Sequence, residues 1–241
     1  MEIIIRNLSE DPNLVNEINR LHEDPWPIFL NHDAIVKKYW RRLYKKFPKY
    51  QLLFKIGNEY VGVGNTAPIY IENNILDFRL GFDEVLENIF TSNKRENTLC
   101  GLAAVISKKY SGRGISYKII DEFKKLAHRN GFTNLVLPVR PILKSQYPLI
   151  PLEKYIRWEC DGLPFDPWIR VHVKIGGKIL KVANRSMIVK GTVSEWEDWT
   201  GMHLGDNGDY IIQGALNPVK VDLQKNLGKY IEPNVWILHK C

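Results

Sequence analysis

The sequence predicts a mixed α/β fold of the α+β kind, a sheet flanked by helices, and three observations carry that expectation. Gly57-Asn58 stands between QLLFKI (51–56) and EYVGVG (59–64), the signal of a two-residue hairpin. The continuous small and apolar run TLCGLAAVIS (98–107) predicts a central strand buried on both faces. A basic glycine loop, an amphipathic stripe and a second apolar run, NLVLPV (134–139), follow it, so the middle of the chain reads strand, loop, helix, strand.

The remaining elements follow from periodicity and punctuation. Residues 3–8 (IIIRNL) predict the first strand; Ser9, Asp11 and Pro12 are helix-start signals. Leu14, Val15, Ile18 and Leu21 then recur at helical spacing as far as the breaker Asp24-Pro25-Trp26-Pro27. A second helix is expected over 33–47, and Asp83 is expected to cap a short helix carrying Val85, Leu86, Ile89 and Phe90. Ile119, Ile120, Phe123, Leu126 and Ala127 make one stripe over 117–130, with Ser116 as N-cap and Gly131 just past the end.

The stretch 141–165, rich in Pro, Tyr and Leu, predicts a long connection with a short helix near 151–158. Asp166-Pro167 opens a further helix reaching Ile175, although the alternation of Val171, Val173 and Ile175 also suits a strand. Residues 178–191 predict two short strands, Ser194-Glu195-Trp196-Glu197 a capping box, and 209–238 a set of hairpins punctuated by Gly214, Pro218, Gly228 and Pro233. The expected organisation is a main domain over 1–191 and a β-rich C-terminal extension, 192–241, packed on it.

With 241 residues, 44% hydrophobic and 25% charged, the chain has a globular composition and is long enough for one full core. Its net charge is +7, and Lys37, Lys38, Arg41, Arg42, Lys45, Lys46 and Lys49 crowd into one segment. Such an excess favours anionic partners. Tyr39, Trp40 and Tyr44 interleave with those cations, which suits single-stranded nucleic acid, but an amphipathic helix with a solvated basic face explains the segment better. The apolar run at the N-terminus is too short for a signal segment, and no window suits a membrane span. Cys100, Cys160 and Cys241 form no C-x-x-C pair, which fits free thiols in a cytoplasmic protein.

Tyr110-Ser111-Gly112-Arg113-Gly114-Ile115-Ser116 lies between the buried strand and the amphipathic helix. Glycines clear the approach, a helix start offers unpaired N–H groups, and its dipole adds positive potential, so the segment suits a pyrophosphate. Position 117 is Tyr, so the third glycine of the dinucleotide fingerprint is missing, and no G-x-x-x-x-G-K-[ST] occurs. A tight turn between strand and helix is the plain alternative.

The stretch AVISKKYSGRGIS (104–116) resembles the acyl-coenzyme A motif of the GNAT (N-acetyltransferase) superfamily, [Q/R]-x-x-G-x-[G/A]. Ser111 stands in place of Gln or Arg and Ser116 in place of Gly or Ala, while Gly114 is kept. The resemblance implies a mixed, mostly antiparallel sheet whose fourth and fifth strands splay apart, with the pantetheine arm in the gap. It places backbone contacts at Val105 and Ile106 and a pyrophosphate cradle over Ser111, Gly112, Arg113, Gly114, Ile115 and Ser116. Residues 168–177 (WIRVHVKIGG) are similar to the family's next helix, and His172 stands where the family has a Tyr that protonates the leaving thiolate. The residues inserted before that helix, among them Tyr147, Glu153 and Tyr155, fall where the acceptor enters.

The function so implied is transfer of an acyl group, most simply acetyl from acetyl-CoA, to an amine by direct attack, with no metal. His172 is the expected general acid, and water or Glu153 the expected base. A small-molecule or peptide amine is the expected acceptor; membrane and nucleic-acid partners are not expected, and the β-rich extension has an edge suited to pairing in a homodimer. A non-catalytic module that holds coenzyme A or an acyl carrier is the competing reading.

Overall fold

The structure, a computed structural model, describes residues 2–23, 25–72, 75 and 80–241. Asp24, the first residue of the expected breaker, lies outside them. Chain order runs β1 (Ile4–Asn7), α1 (Val15–His22), α2 (Ala34–Lys46), β2 (Gln51–Ile56), β3 (Glu59–Ile69), α3 (Phe82–Thr91), β4 (Thr98–Ile106), α4 (Ile115–Arg129) and β5 (Asn134–Val139). It continues through α5 (Leu152–Tyr155), β6 (Glu159–Cys160), β7 (Leu163–Pro164), α6 (Pro167–Lys174), β8 (Lys178–Gly191), α7 (Val193–Thr200), β9 (Gly208–Tyr210), β10 (Val219–Asp222) and β11 (Leu227–Lys240). Among the described residues, no helix is long and apolar enough to cross a membrane.

One sheet organises the chain, in the order β1-β2-β3-β4-β5-β11-β10-β9, with β8 along the other edge of β11. β4 and β5 run parallel; the other neighbours are antiparallel. Helices cover both faces. Gly64 and Gly101 lie against the Phe123 ring of α4, so that helix packs on β3 and β4 where a larger residue would hold it off. Asn65, the neighbour of Gly64, points to the opposite face and meets His22 of α1. Leu53, Phe54, Val63, Leu99 and Phe123 between these layers are fully buried.

Local chemistry explains the element ends. Asp33 accepts from the amides of Ile35 and Val36 and starts α2; Asp166 accepts from Trp168 and Ile169 and starts α6 as a helix, which decides against the strand reading of 171–175. Three expected caps move. Gly114, at φ +76°, precedes α4 in place of Ser116, Gly81 precedes α3 in place of Asp83, and Thr192 with Glu195 makes the capping box of α7 in place of Ser194. Asp83 instead accepts the amide of Ile188 on β8, a partner far along the chain.

The C-terminal part departs from expectation in a larger way. Residues 178–191 form one long strand, and β11 runs unbroken through Gly228 and Pro233. β11 inserts between β5 and β8, with Val235 opposite Val139 on one side and Val182 on the other. The expected boundary at 191/192 is therefore corrected: 227–240 is central to the main sheet, and the residues between β8 and β11 are an insertion between adjacent strands. Alternation could not show this, because a strand covered on both faces and paired on both edges reads like any apolar run.

Candidate active site

Two strands that begin as neighbours and then part make the site. β4 and β5 pair only at Leu99 with Leu135 and Cys100 with Val136. Beyond that, β4 follows β3 as far as Ile106 opposite Gly62, while β5 follows β11 as far as Val139 opposite Val235. A gap opens from Gly101 and Leu137 upward. Gly101 is required at its vertex, since a Cβ there would sit 2.6 Å from Leu137 Cδ2.

Which backbone groups face the gap follows from one hydrogen bond. The Ser107 amide donates to Val61 O on β3 at 2.9 Å. Alternate residues of a strand present their polar groups to the same side, so Val105 also faces β3. Ile106 and Ala104 face the gap. The expected contact at Ile106 thus has free backbone groups, the one at Val105 does not, and Ala104 joins the site. Lower down, Asn65 pairs with Ala103 but Thr66 pairs with Gly101, which leaves Leu102 as a β-bulge at the gap's base. A partly buried network braces the bulge: Gln51 accepts from Asn65 at 2.9 Å, His22 Nε2 meets Asn65 Oδ1 at 2.7 Å, and Trp26 donates to His22 Nδ1 at 3.1 Å. Burial lowers the His22 pKa, against a smaller upward pull from its hydrogen bond with Asn65.

Above the gap lies the glycine loop. Gly112 and Gly114 both take φ +76°, the left-handed conformation, with open space where a Cβ would stand. The amides of Ile115 and Ser116 begin α4 and have no acceptor within the helix. Ser111 offers its hydroxyl alone, because its amide already donates to Lys108 O at 3.1 Å. Arg113 lies over the Tyr110 ring, 5.2 Å from its centroid. Lys109 is tied to Glu59 at 2.7 Å, and that carboxyl is held below its usual range by the hydrogen bonds from Lys109 and Tyr110. These residues fit a coenzyme A pyrophosphate: an exposed glycine turn, first-turn amides and a cation beside them, at the mouth of a gap edged by free strand groups.

His172 packs against β11 at the level where β4 and β5 are still paired, and in an unexpected state. Its Nδ1 lies 2.9 Å from His239 Nε2, its ring packs edge-on to Trp168, and it is fully buried. His239 stands opposite Leu135, the β5 residue that pairs with Leu99. Desolvation, and then the charge of a protonated His239, lower the His172 pKa to about 3. The expectation of an imidazolium acid is therefore corrected: the ring is neutral at neutral pH. His172 Nε2 is buried without a hydrogen-bond partner.

The insertion distributes its expected substrate contacts differently. Tyr155 is buried, packs with Tyr147, Trp158 and Phe165, and donates to Asp166 Oδ2 at 2.9 Å, so it belongs to the core of the insertion. Tyr147 is half-buried in the same cluster, and its carbonyl accepts from Lys144 Nζ at 2.8 Å. Glu153 accepts from Asn184 on β8, two strands beyond the β5 edge of the gap, and so has no place as the base there. Sequence reasoning missed Ala104, Leu102, His239 and the His22–Asn65 pair. No local pattern announces them, because each depends on which strand lies alongside.

No family model matches the chain. It is 31% identical to the arginine N-acetyltransferase avaD of Aspergillus versicolor, over 89% of this chain and 84% of that protein. Among solved structures, the loading GNATL domain of CurA from Lyngbya majuscula superposes with a TM-score of 0.66 at 17% identity, covering 100% of this chain and 98% of that one. The GphF GNAT-like decarboxylase in complex with isobutyryl-CoA gives a TM-score of 0.63 at 14% identity, covering 98% of each. Those two likenesses concern the fold, whose splayed strands and glycine loop are described above, and the curated relative carries the rest. The chain belongs to the GNAT superfamily and is a GNAT-type, acyl-CoA-dependent N-acetyltransferase.

Proposed function

We propose that the chain transfers an acetyl group from acetyl-CoA to the amine of a small, free acceptor, with arginine, the acceptor in the name of its curated relative, as the first candidate. The divergence of β4 from β5 beneath the glycine loop is the observation that carries this reading. Acetyl-CoA, when bound, supplies the thioester carbonyl that a neutral amine attacks. The Ile115 and Ser116 amides, the Ser111 hydroxyl and Arg113 hold the pyrophosphate over Gly112 and Gly114. Ala104 and Ile106 hold the pantetheine arm through their gap-facing backbone, and positioning supplies most of the acceleration.

We assign His172 a changed role. With His239 Nε2–H donating to Nδ1, His172 Nε2 carries the hydrogen and stabilises negative charge developing on the leaving sulfur as a neutral donor, a use of imidazole that needs no protonated ring. The unpartnered Nε2 favours it. The amine's proton leaves to water, and the sulfur takes one from water, so the exchange balances.

Titration calorimetry with acetyl-CoA on wild type and Gly114→Glu tests the donor site. At φ +76° any side chain is strained, and a carboxylate there repels phosphate, so affinity should fall at least tenfold with the melting temperature held within a few degrees. Thiol release with arginine and a panel of amines tests the acceptor. Acetyl-CoA binding without release for any amine would overturn the acceptor reading, and undiminished binding by Gly114→Glu would overturn the donor site.

A further inference from the structure

The sheet beyond the end of β5 carries a row of like charges that acyl transfer does not use. Lys220 on β10 stands directly opposite Lys229 on β11, and Lys229 directly opposite Lys190 on β8. Asp209 on β9, opposite Lys220, ends the row. Residues directly opposite share a face roughly 5 Å apart, and like charges placed so are destabilising. Among the described residues none of the three lysines has an ion-pair partner, whereas nearby Lys225 meets Asp222 at 2.6 Å. Lys190 and Lys220 are exposed and Lys229 is half-buried.

Two members of the row, Lys220 and Lys229, line a cavity of about 620 Å³, within the range of small-molecule sites. Lys220, Lys229 and Arg185 line it, together with Leu149, Ile150 and Ile231. Leu149 is 70% exposed, a large apolar side chain held at the mouth. Two carboxylates also line it: Glu153, already engaged by the Asn184 amide, and exposed Asp209. Cations thus outnumber the one free carboxylate, and they share the concave space with apolar side chains. β8, β10 and β11 all lie on the far side of β5 from the gap.

We propose that this cavity is a second ligand site, separate from the acetyl-transfer gap, for an organic anion. Its carboxylate or phosphate meets Lys220 and Lys229, with Arg185 on the same lining and Lys190 adding to the field from the next strand, and its apolar body lies on Leu149, Ile150 and Ile231. Filling the site relieves the repulsion along the row and covers those apolar side chains.

Octanoate, octyl phosphate and 1-octanol share one apolar body and differ in the head, so titrating each into the full chain, followed by NMR or calorimetry, tests the site. At least one anion should bind tenfold more tightly than the alcohol, and the tighter of the two identifies the head group. Its affinity should weaken several-fold between 50 and 300 mM salt, on the order expected for exposed charges. It should fall about tenfold in Lys220→Gln/Lys229→Gln, while acetyl-CoA affinity and melting temperature stay unchanged. Binding of the alcohol equal to that of the anions, unchanged binding by the double variant, no binding of either anion, or displacement by acetyl-CoA would each overturn the proposal. None of these readouts depends on turnover, so failure of the acceptor assignment leaves the test intact.

Discussion

A single ring nitrogen carries the role proposed for His172. Burial against Trp168 and His239 keeps the imidazole neutral, so the turnover rate of the wild type should show no inflection near pH 6.5 that traces to this residue. His172→Ala should lower kcat about 10- to 100-fold, on the order of 1.4–2.7 kcal/mol, with acetyl-CoA affinity within twofold. His172→Gln, which keeps an N–H donor, should recover part of the loss. An inflection near pH 6.5 that vanishes in His172→Gln would restore the imidazolium. A second residue-scale effect lies at the end of β5, where Arg140 Nε donates to Glu232 Oε1 at 2.7 Å and Tyr230 donates to the other oxygen at 2.6 Å. Glu232 is 1% exposed, so Arg140→Met leaves a buried charge without its cation and should cost about 3–5 kcal/mol by urea denaturation. Removing both charges, in Arg140→Met/Glu232→Leu, should cost less; equal losses would argue against a charge-burial cause.

At the scale of elements, α2, α3 and β8 meet at two carboxyl groups. Asp33 caps α2 with one oxygen, and Asp83 accepts the Ile188 amide of β8 with one oxygen. Asp33 Oδ2 and Asp83 Oδ1 remain, both buried with no other partner, which is the arrangement of two carboxyl groups sharing a proton. Burial raises both pKa values, and the Asp33 charge beside Asp83, with a smaller push from Glu84, takes Asp83 up to about 8. The folded chain therefore binds more protons than the unfolded chain between the ordinary Asp range near ~4 and about 8. Stability from the pair is complete below that window and is lost as pH rises through it. Asp83→Asn keeps a donor toward Asp33 and an acceptor for Ile188 without titrating, so its melting temperature should decline less than that of wild type between pH 5 and 8.5. Parallel declines would remove the pair as the cause.

For the whole molecule, β11 is the strand on which β5, β8 and β10 depend. Trp236 and Ile237 within it are fully buried. A chain stopped after Gly191 should show no cooperative unfolding transition and should expose apolar surface to a hydrophobic dye, because β5 and β8 both lose a full edge of hydrogen bonds. A cooperative melt of that fragment would revive the expected boundary at 191/192. The same strand links the two sites: its second half runs beside β5 next to the gap, and its first half carries Lys229 into the anion cavity. A ligand in the cavity and a thioester in the gap therefore bear on one continuous strand.

Much of this was legible in the chain because it depends on near neighbours. The βα turn at 111–116, the stripe of α4, the Asp166 cap and the 57–58 hairpin are each set by residues within a few positions, where local conformational preference dominates. The glycine loop and its helix, on which the proposed donor site rests, are local features of this kind. Tertiary structure decided the rest, for one physical reason: strand pairing joins residues far apart in sequence, and a strand's apolar pattern does not record its partner or its hydrogen-bonding phase. That is why β11 lies between β5 and β8, why Ala104 and Ile106 rather than Val105 face the gap, and why His172 meets His239 and loses its charge. It is also why Lys190, Lys220 and Lys229, unremarkable as separate letters, stand in one row across three strands.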